Sequence, residues 1–192
     1  MSQINRITWI EPYYDIILNM IPKDIDTILD VGAGSGIFGF ILKKTRNAHV
    51  TAIEPFDYNT SHYDQSYQMT WKQFYKYYTK QFDCIVSTEM IEHLSTIDAH
   101  MFLADARNIS KKVIVSTPYK FEQQPAYDRN PLQTHRSLIT VDDFEQYGYK
   151  VNYICIVNLR GMTLRIFAHK KTIPFLKIFG IKPVNIIGIF GD

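Results

Sequence analysis

Three observations predict an α/β fold with a mostly parallel sheet covered by helices on both faces. Short apolar runs alternate along the chain with longer stretches of helical period. The first β-branched run leads directly into a glycine-rich turn and then a helix. The chain of 192 residues and 22.5 kDa is long enough to bury a sizeable core in one domain.

The elements follow in order. Trp9, Tyr13, Ile16, Ile17 and Met20 recur at helical spacing, so the first helix is expected over Trp9–Met20, ended by Pro22. The segment TILDVGAGSGIFGFILKK reads as strand, tight turn and helix to about Lys44. A second strand spans His49–Glu54 and closes at Pro55, because proline cannot continue a central ladder. The next stretch is crowded with Tyr58, Tyr63, Tyr67, Trp71, Phe74, Tyr75, Tyr77 and Tyr78; it is read as a short third strand near Gln68–Thr70 and a helix from about Lys72. Phe82–Thr88 is a buried strand, followed by a helix starting near Glu89 and another over Asp98–Asn108. Lys112–Ser116 is the fifth strand. Pro118 to Arg136 has no period and is a long loop, a length usually associated with function. After a helix at Val141–Gln146, Tyr149–Val157 and Thr163–His169 read as an antiparallel hairpin. The domain is drawn over residues 1–171, with 172–192 as an apolar C-terminal tail broken by Pro174, Gly180, Pro183 and Gly188.

With 46% hydrophobic and 21% charged residues, the composition excludes a disordered chain and a disulfide scaffold. No apolar stretch reaches the roughly 18–20 residues of a membrane-spanning helix, and the first residues lack the features of a signal peptide, so a cytoplasmic address is expected. Cys84 and Cys155 lie in apolar runs and are read as packing residues. Net charge is +2, yet the stretch from Gly148 to Gly191 carries Lys150, Arg160, Arg165, Lys170, Lys171, Lys177 and Lys182 and no acid. That positive end reads as a solvated hairpin face, with RNA phosphates or an anionic lipid surface as alternatives. The apolar run Ile186–Phe190 suggests a homodimer contact or a surface-docking patch.

The strongest signal is Asp30-Val31-Gly32-Ala33-Gly34-Ser35-Gly36 directly after a strand. Glycines allow a sharp turn and close approach of a ligand, and the following helix offers free N–H groups. Gly34 to Gly39 also forms a GxGxxG pattern with Glu54 following 20 positions after Gly34, as in dinucleotide sites. Asp30 discriminates the two readings: a carboxylate beside the turn repels a pyrophosphate and favours a cationic ligand. S-adenosylmethionine, with its ammonium and sulfonium, suits Asp30, and Glu54 can accept both ribose hydroxyls.

These residues resemble the class I S-adenosylmethionine-dependent methyltransferases. ILDVGAGSG is similar to the first motif, AIEP to the ribose-binding acid, FDCIVSTEMIEHL to the fourth-strand motif, and the closing hairpin to strands six and seven. The resemblance implies a Rossmann-like methyltransferase fold with a seven-stranded, mostly parallel sheet of order 3-2-1-4-5-7-6 and the cofactor over the carboxyl ends of strands 1, 2 and 4. It implies cofactor contacts from Asp30, Gly32, Gly34, Gly36, Glu54, Thr70 and Glu89. Trp71 also falls where the adenine contact belongs, though core packing is an equal reading. In this order Cys84 and Cys155 lie three strands apart, about 14 Å, beyond the reach of a disulfide.

Glu89, Glu92 and His93, at i, i+3 and i+4 of the expected helix, share one face, and His135 follows in the long loop. The ExxEH pattern with a later His resembles the metal site of small-RNA 2′-O-methyltransferases and a Glu-His pair of ubiquinone-type O-methyltransferases. That resemblance implies a divalent metal, Mg or Mn, on Glu89, Glu92, His93 and His135. Two other readings stand beside it: His93 or His135 as a metal-free catalytic base, and the acids as structural complements of a helix N-terminus. The expected activity is S-adenosylmethionine-dependent O-methylation of a small hydroxylated metabolite, lipid or glycan. The alternatives are metal-assisted RNA 2′-O-methylation, an NAD-dependent oxidoreductase, and an inactive S-adenosylmethionine-binding module.

Overall fold

A computed structural model describes residues 13–56, 61–126, 130–159 and 162–191. Trp9, Tyr58, Tyr127, Arg160 and Gly161 lie outside them. The first helix is described over residues 13–20 (α1). Strand β1 (Thr27–Val31) is followed by α2 (Ile37–Thr45), β2 (His49–Ile53), β3 (Gln65–Tyr67), α3 (Trp71–Tyr77), β4 (Phe82–Thr88), α4 (Thr96–Ala106), β5 (Ser110–Pro118) and α5 (Val141–Glu145). The chain ends with β6 (Lys150–Leu159), β7 (Met162–His169), α6 (Ile173–Ile178) and β8 (Lys182–Phe190).

The strands form one eight-stranded sheet of order β3-β2-β1-β4-β5-β8-β6-β7. The first five are parallel, while β8 runs antiparallel to both β5 and β6, and β7 antiparallel to β6. Strand alternation sends Leu29 and Val31 to one face, packed with Trp71, Phe102 and Phe144, and Ile28 to the other, with Ile17, Phe38 and Leu42. Helices α1 and α2 therefore cover one face, and α3, α4 and α5 the other.

The expected seven-stranded order is corrected at its far end. Residues 182–190, taken as a tail outside the domain, supply the strand beside β5, and the second strand of the hairpin becomes the edge. Burial explains the exchange. Ile186 and Ile187 are both buried, one in each face's core, as a central strand requires, whereas β7 leaves Leu164 and Phe167 exposed. Pro183 is tolerated because it sits beside an irregularity in the β6–β8 register. Cys84 on β4 and Cys155 on β6 remain three strands apart, buried and free.

Two local expectations also change. The third strand is Gln65–Tyr67 rather than Gln68–Thr70, because Thr70 caps α3: its hydroxyl accepts from the Gln73 N–H while the Gln73 side chain accepts from the Thr70 N–H. No long helix starts at Glu89. That residue has φ of 51°, a 3-10 turn follows at Ile91–His93, and α4 begins only after Ser95, whose hydroxyl accepts from the Asp98 N–H at 3.1 Å. The chain is thus turned sharply just beyond β4, where ligands meet open α/β sheets.

Because Ile187 is fully buried in a central strand, Ile187→Ala is expected to cost about 2–5 kcal/mol in urea unfolding, as a core truncation does. A cost near zero would place residues 182–190 outside the core.

Candidate functional site

The carbonyl of Ile53, last residue of β2, accepts the N–H of Gly32 at 2.9 Å and of Ala33 at 3.2 Å, drawing the turn after β1 over the end of β2. The Glu54 carboxylate completes the closure, accepting from the Gly34 N–H at 2.9 Å and the Phe56 N–H at 2.9 Å. Gly32 has φ of 77°, and a Cβ there would run into Met90, so no other residue fits.

Beside this turn opens a cleft of about 650 Å³. Gly32, Gly34 and Glu54 line it at the ends of β1 and β2, Glu89 at the end of β4, and Thr70 and Trp71 at the start of α3. Gly36 does not line it; it begins α2, and its N–H donates to the Ala33 carbonyl at 3.0 Å. Trp71 fulfils both of its readings, since it borders the cleft while packing edge-on against Phe102.

Asp30 is placed differently from the expectation. It is buried on the opposite face of β1 from Val31 and is not part of the cleft lining. The Tyr63 hydroxyl donates to its Oδ2 at 2.6 Å, and burial pushes its pKa up to about 7, with Tyr63 pulling it down and Glu54 pushing it further up. Gly39 makes room for that tyrosine: a Cβ there would run into the Tyr63 ring. The last glycine of the GxGxxG pattern therefore serves the Tyr63–Asp30 contact.

Four carboxylates line the cleft, Glu54, Glu89, Asp98 and Asp105, together with the cations Lys72, Lys76 and Arg136; Glu54 and Glu89 are the two at the strand ends. Glu89 is held by three side chains that sequence reasoning missed. The Tyr13 hydroxyl of α1 donates at 3.0 Å, the Ser116 hydroxyl of β5 at 3.1 Å, and the Asn185 amide of β8 at 2.9 Å. The Tyr13 and Ser116 hydroxyls also meet each other, so the two hydroxyl protons are shared among these two oxygens and that of Glu89. The one available signal was Asn185, a polar residue inside an apolar run. Burial raises the pKa of both acids; hydrogen-bond donors oppose it, for Glu89 chiefly Tyr13, Ser116 and Asn185.

Ligand atoms of Glu92, His93 and His135 lie within 4.8 Å of one another, and Glu89 does not belong to this group. The shared helix face expected for Glu89, Glu92 and His93 is absent, since Glu89 precedes the 3-10 turn and its oxygens are engaged elsewhere. Glu92 is buried, accepts from Thr117 at 3.1 Å, and burial raises its pKa well above the usual range. The long loop is stitched to this turn, the Glu92 carbonyl accepting the N–H groups of Arg136 and Ser137. The Nδ1 atoms of His93 and His135 face the carbonyls of Thr134 at 3.3 Å and Glu122 at 2.6 Å. A carbonyl only accepts, so the Nδ1 atom of each ring is the donor in these contacts. Burial, reinforced by His135, lowers the pKa of His93 and keeps it neutral near pH 7.

A family model described as methyltransferase domain matches residues 10–156. The chain belongs to the methyltransferase domain family. Its fold is that of the class I S-adenosylmethionine-dependent methyltransferases. A SAM-dependent methyltransferase from Archaeoglobus fulgidus superposes with a TM-score of 0.67 at 14% identity, covering 93% of this chain and 92% of the other. A 1,6-didemethyltoxoflavin-N1-methyltransferase from Burkholderia thailandensis, with bound S-adenosylhomocysteine, gives 0.61 at 12% identity over 98% and 83%. The methyltransferase domain of bacterial CtHen1 gives 0.56 at 17% identity over 95% and 98%. No curated protein sequence matches. Within the methyltransferase fold, the β6–β7 hairpin adds an edge strand while β8 takes the antiparallel place beside β5.

Four buried or half-buried acids with raised pKa values give this methyltransferase a pH signature. Each holds its proton more tightly in the folded chain, so the stability they contribute is fully present below the ordinary carboxylate pKa and is lost as pH rises through the folded values. For Asp30 that window runs from about 4 to about 7. Asp30→Asn is expected to flatten the decline of unfolding free energy across it, measured by denaturant titration at several pH values. A slope equal to that of the unsubstituted protein would contradict the placement of Asp30.

Proposed function

We propose that the cleft binds S-adenosylmethionine and that the enzyme methylates an oxygen of a small hydroxylated metabolite, lipid or glycan. The observation that carries this reading is the pair of carboxylates, Glu54 and Glu89, facing one cleft beside a turn most of whose N–H groups are already used. Those of Gly32, Ala33, Gly34 and Gly36 all donate within the protein, leaving a pyrophosphate few donors in the turn, and the four acids of the lining, Glu54, Glu89, Asp98 and Asp105, outnumber its three cations, Lys72, Lys76 and Arg136. A ligand with an ammonium, a sulfonium and a ribose diol suits the same lining. S-adenosylhomocysteine and S-adenosylmethionine are named as bound in several structures of this fold, the Burkholderia enzyme among them.

When bound, S-adenosylmethionine supplies an activated methyl group, which passes to the acceptor oxygen and leaves S-adenosylhomocysteine. Glu54 accepts hydrogen bonds from the ribose hydroxyls, keeping its bond to the Gly34 N–H. Glu89, fixed by Tyr13, Ser116 and Asn185, faces the methionyl ammonium. The Nε2 of His135 or His93 takes the acceptor hydroxyl proton as the new C–O bond forms. Because Nδ1 of each ring is tied to a backbone carbonyl, that lone pair has a fixed direction.

A second reading, metal-assisted RNA 2′-O-methylation, is favoured by the convergence of Glu92, His93 and His135. One carboxylate and two imidazoles suit a borderline divalent cation, and a buried Glu92 gains by facing one. Such an ion would lower the pKa of an acceptor hydroxyl held beside these three residues.

Glu54→Ala is expected to weaken S-adenosylhomocysteine binding about tenfold or more in calorimetry, since a hydrogen bond to a charged group contributes about 1.5–3 kcal/mol. Unchanged affinity would remove Glu54 from the site. With an accepted substrate, His135→Ala should spare cofactor affinity and lower turnover about 10²–10⁴-fold. Mn²⁺ titrated by electron paramagnetic resonance separates the two readings: binding lost in His135→Ala supports the metal-assisted one, and its absence in the unsubstituted protein leaves His135 as a base.

A further inference from the structure

Helix α6 turns Ile173 and Leu176 onto the core. Its other side carries Phe175, Ile178 and, at its end, Phe179, which are 62%, 78% and 65% exposed. Spacings of three and four residues put the three on one stripe, and the Phe175 and Phe179 rings meet edge to face at 5.0 Å. Exposed apolar residues scattered singly are ordinary, but a contiguous cluster on a short knuckle between two strands marks an interaction surface.

Lysines frame this cluster. Lys171 precedes α6, Lys177 lies in its last turn, and Lys182 opens β8; all are exposed. Lys177 lies over the Tyr119 ring at 5.9 Å, and Lys171 and Lys182 have no ion pair among the described residues. Lys170 is neutralised by Glu145 at 2.6 Å, and no acid occurs between Gly148 and Gly191.

We propose that α6 and its flanking lysines dock the protein on an anionic phospholipid bilayer. Phe175, Ile178 and Phe179 enter the boundary between headgroups and acyl chains, and Lys171, Lys177 and Lys182 face the lipid phosphates. Charge complementarity selects this occupant. A second copy related by a twofold axis would bring the same lysines together. The three side chains also offer only on the order of 400 Å², about half of what each partner contributes to a stable interface. A nucleic acid would meet the lysines but leave the apolar tips in water. The Tyr119 N–H donates to the Val184 carbonyl at 2.8 Å, which ties the knuckle to the end of β5, where the loop carrying Glu122 and His135 begins.

Sedimentation of the full chain with vesicles tests this without reference to methyl transfer. Vesicles of phosphatidylcholine with phosphatidylglycerol are compared with phosphatidylcholine alone, and circular dichroism melting verifies folding. The expected result is a partition about tenfold or more higher on the anionic vesicles, falling as salt is raised. Phe175→Ser/Ile178→Ser/Phe179→Ser should lower that partition about tenfold or more, and Lys171→Gln/Lys177→Gln/Lys182→Gln should abolish the preference for anionic lipid. No partition, equal partition on the two vesicles, or both variants binding like the unsubstituted chain would overturn the proposal. So would absent vesicle binding together with a dimer that the serine variant dissolves, which assigns the patch to a subunit contact. Should the serine variant fail to fold, the lipid and salt dependence of the unsubstituted chain decides.

Discussion

The site depends on one closure, in which the end of β2 captures the turn that leaves β1. The Ile53 carbonyl takes two N–H groups and the Glu54 carboxylate a third, so the floor of the cleft is backbone held by backbone and by a single side chain. A turn fixed in this way has spent most of its donors, those of Gly32, Ala33, Gly34 and Gly36, so it offers an anion fewer N–H groups than an open glycine turn would.

The acids are sorted by depth. Asp30 is buried outside the cleft lining, bonded to Tyr63, and burial raises its pKa to about 7. Glu54 and Glu89 face the cleft, each carrying donors that favour its charged form against the cost of burial. Glu89 in turn depends on α1, β5 and β8 together, and its positive φ is a strain the surrounding contacts hold in place. The strand farthest along the chain thus reaches back to fix a residue at the centre of the sheet.

Much of this was legible in the sequence. The strand–turn–helix at Asp30 and the acid at Glu54 follow from local patterns and have structural counterparts, whereas of the expected group Glu89, Glu92, His93 and His135 only the last three converge. The errors have a common cause. Periodicity does not report which side chain meets a strand-end acid, so the bond from Tyr63 to Asp30 has no signal in the sequence. It does not report strand order either: the apolar residues of β8 looked like a tail because Pro183 and Gly188 interrupt them, and only two-sided burial reveals a central strand. Glu89, at φ of 51°, broke the helix that its spacing to Glu92 suggested. Tyr13, Ser116 and Asn185 carried no motif, because their meeting at one carboxylate is a product of topology alone.

The most direct test is a crystal structure of the chain with S-adenosylhomocysteine. The ribose hydroxyls should lie on the Glu54 carboxylate, the amino group within hydrogen-bond reach of Glu89, and Asp30 should remain bonded to Tyr63 on the far face of β1. A ligand whose ribose turns away from Glu54, or an Asp30 that enters the cleft to meet it, would contradict the account.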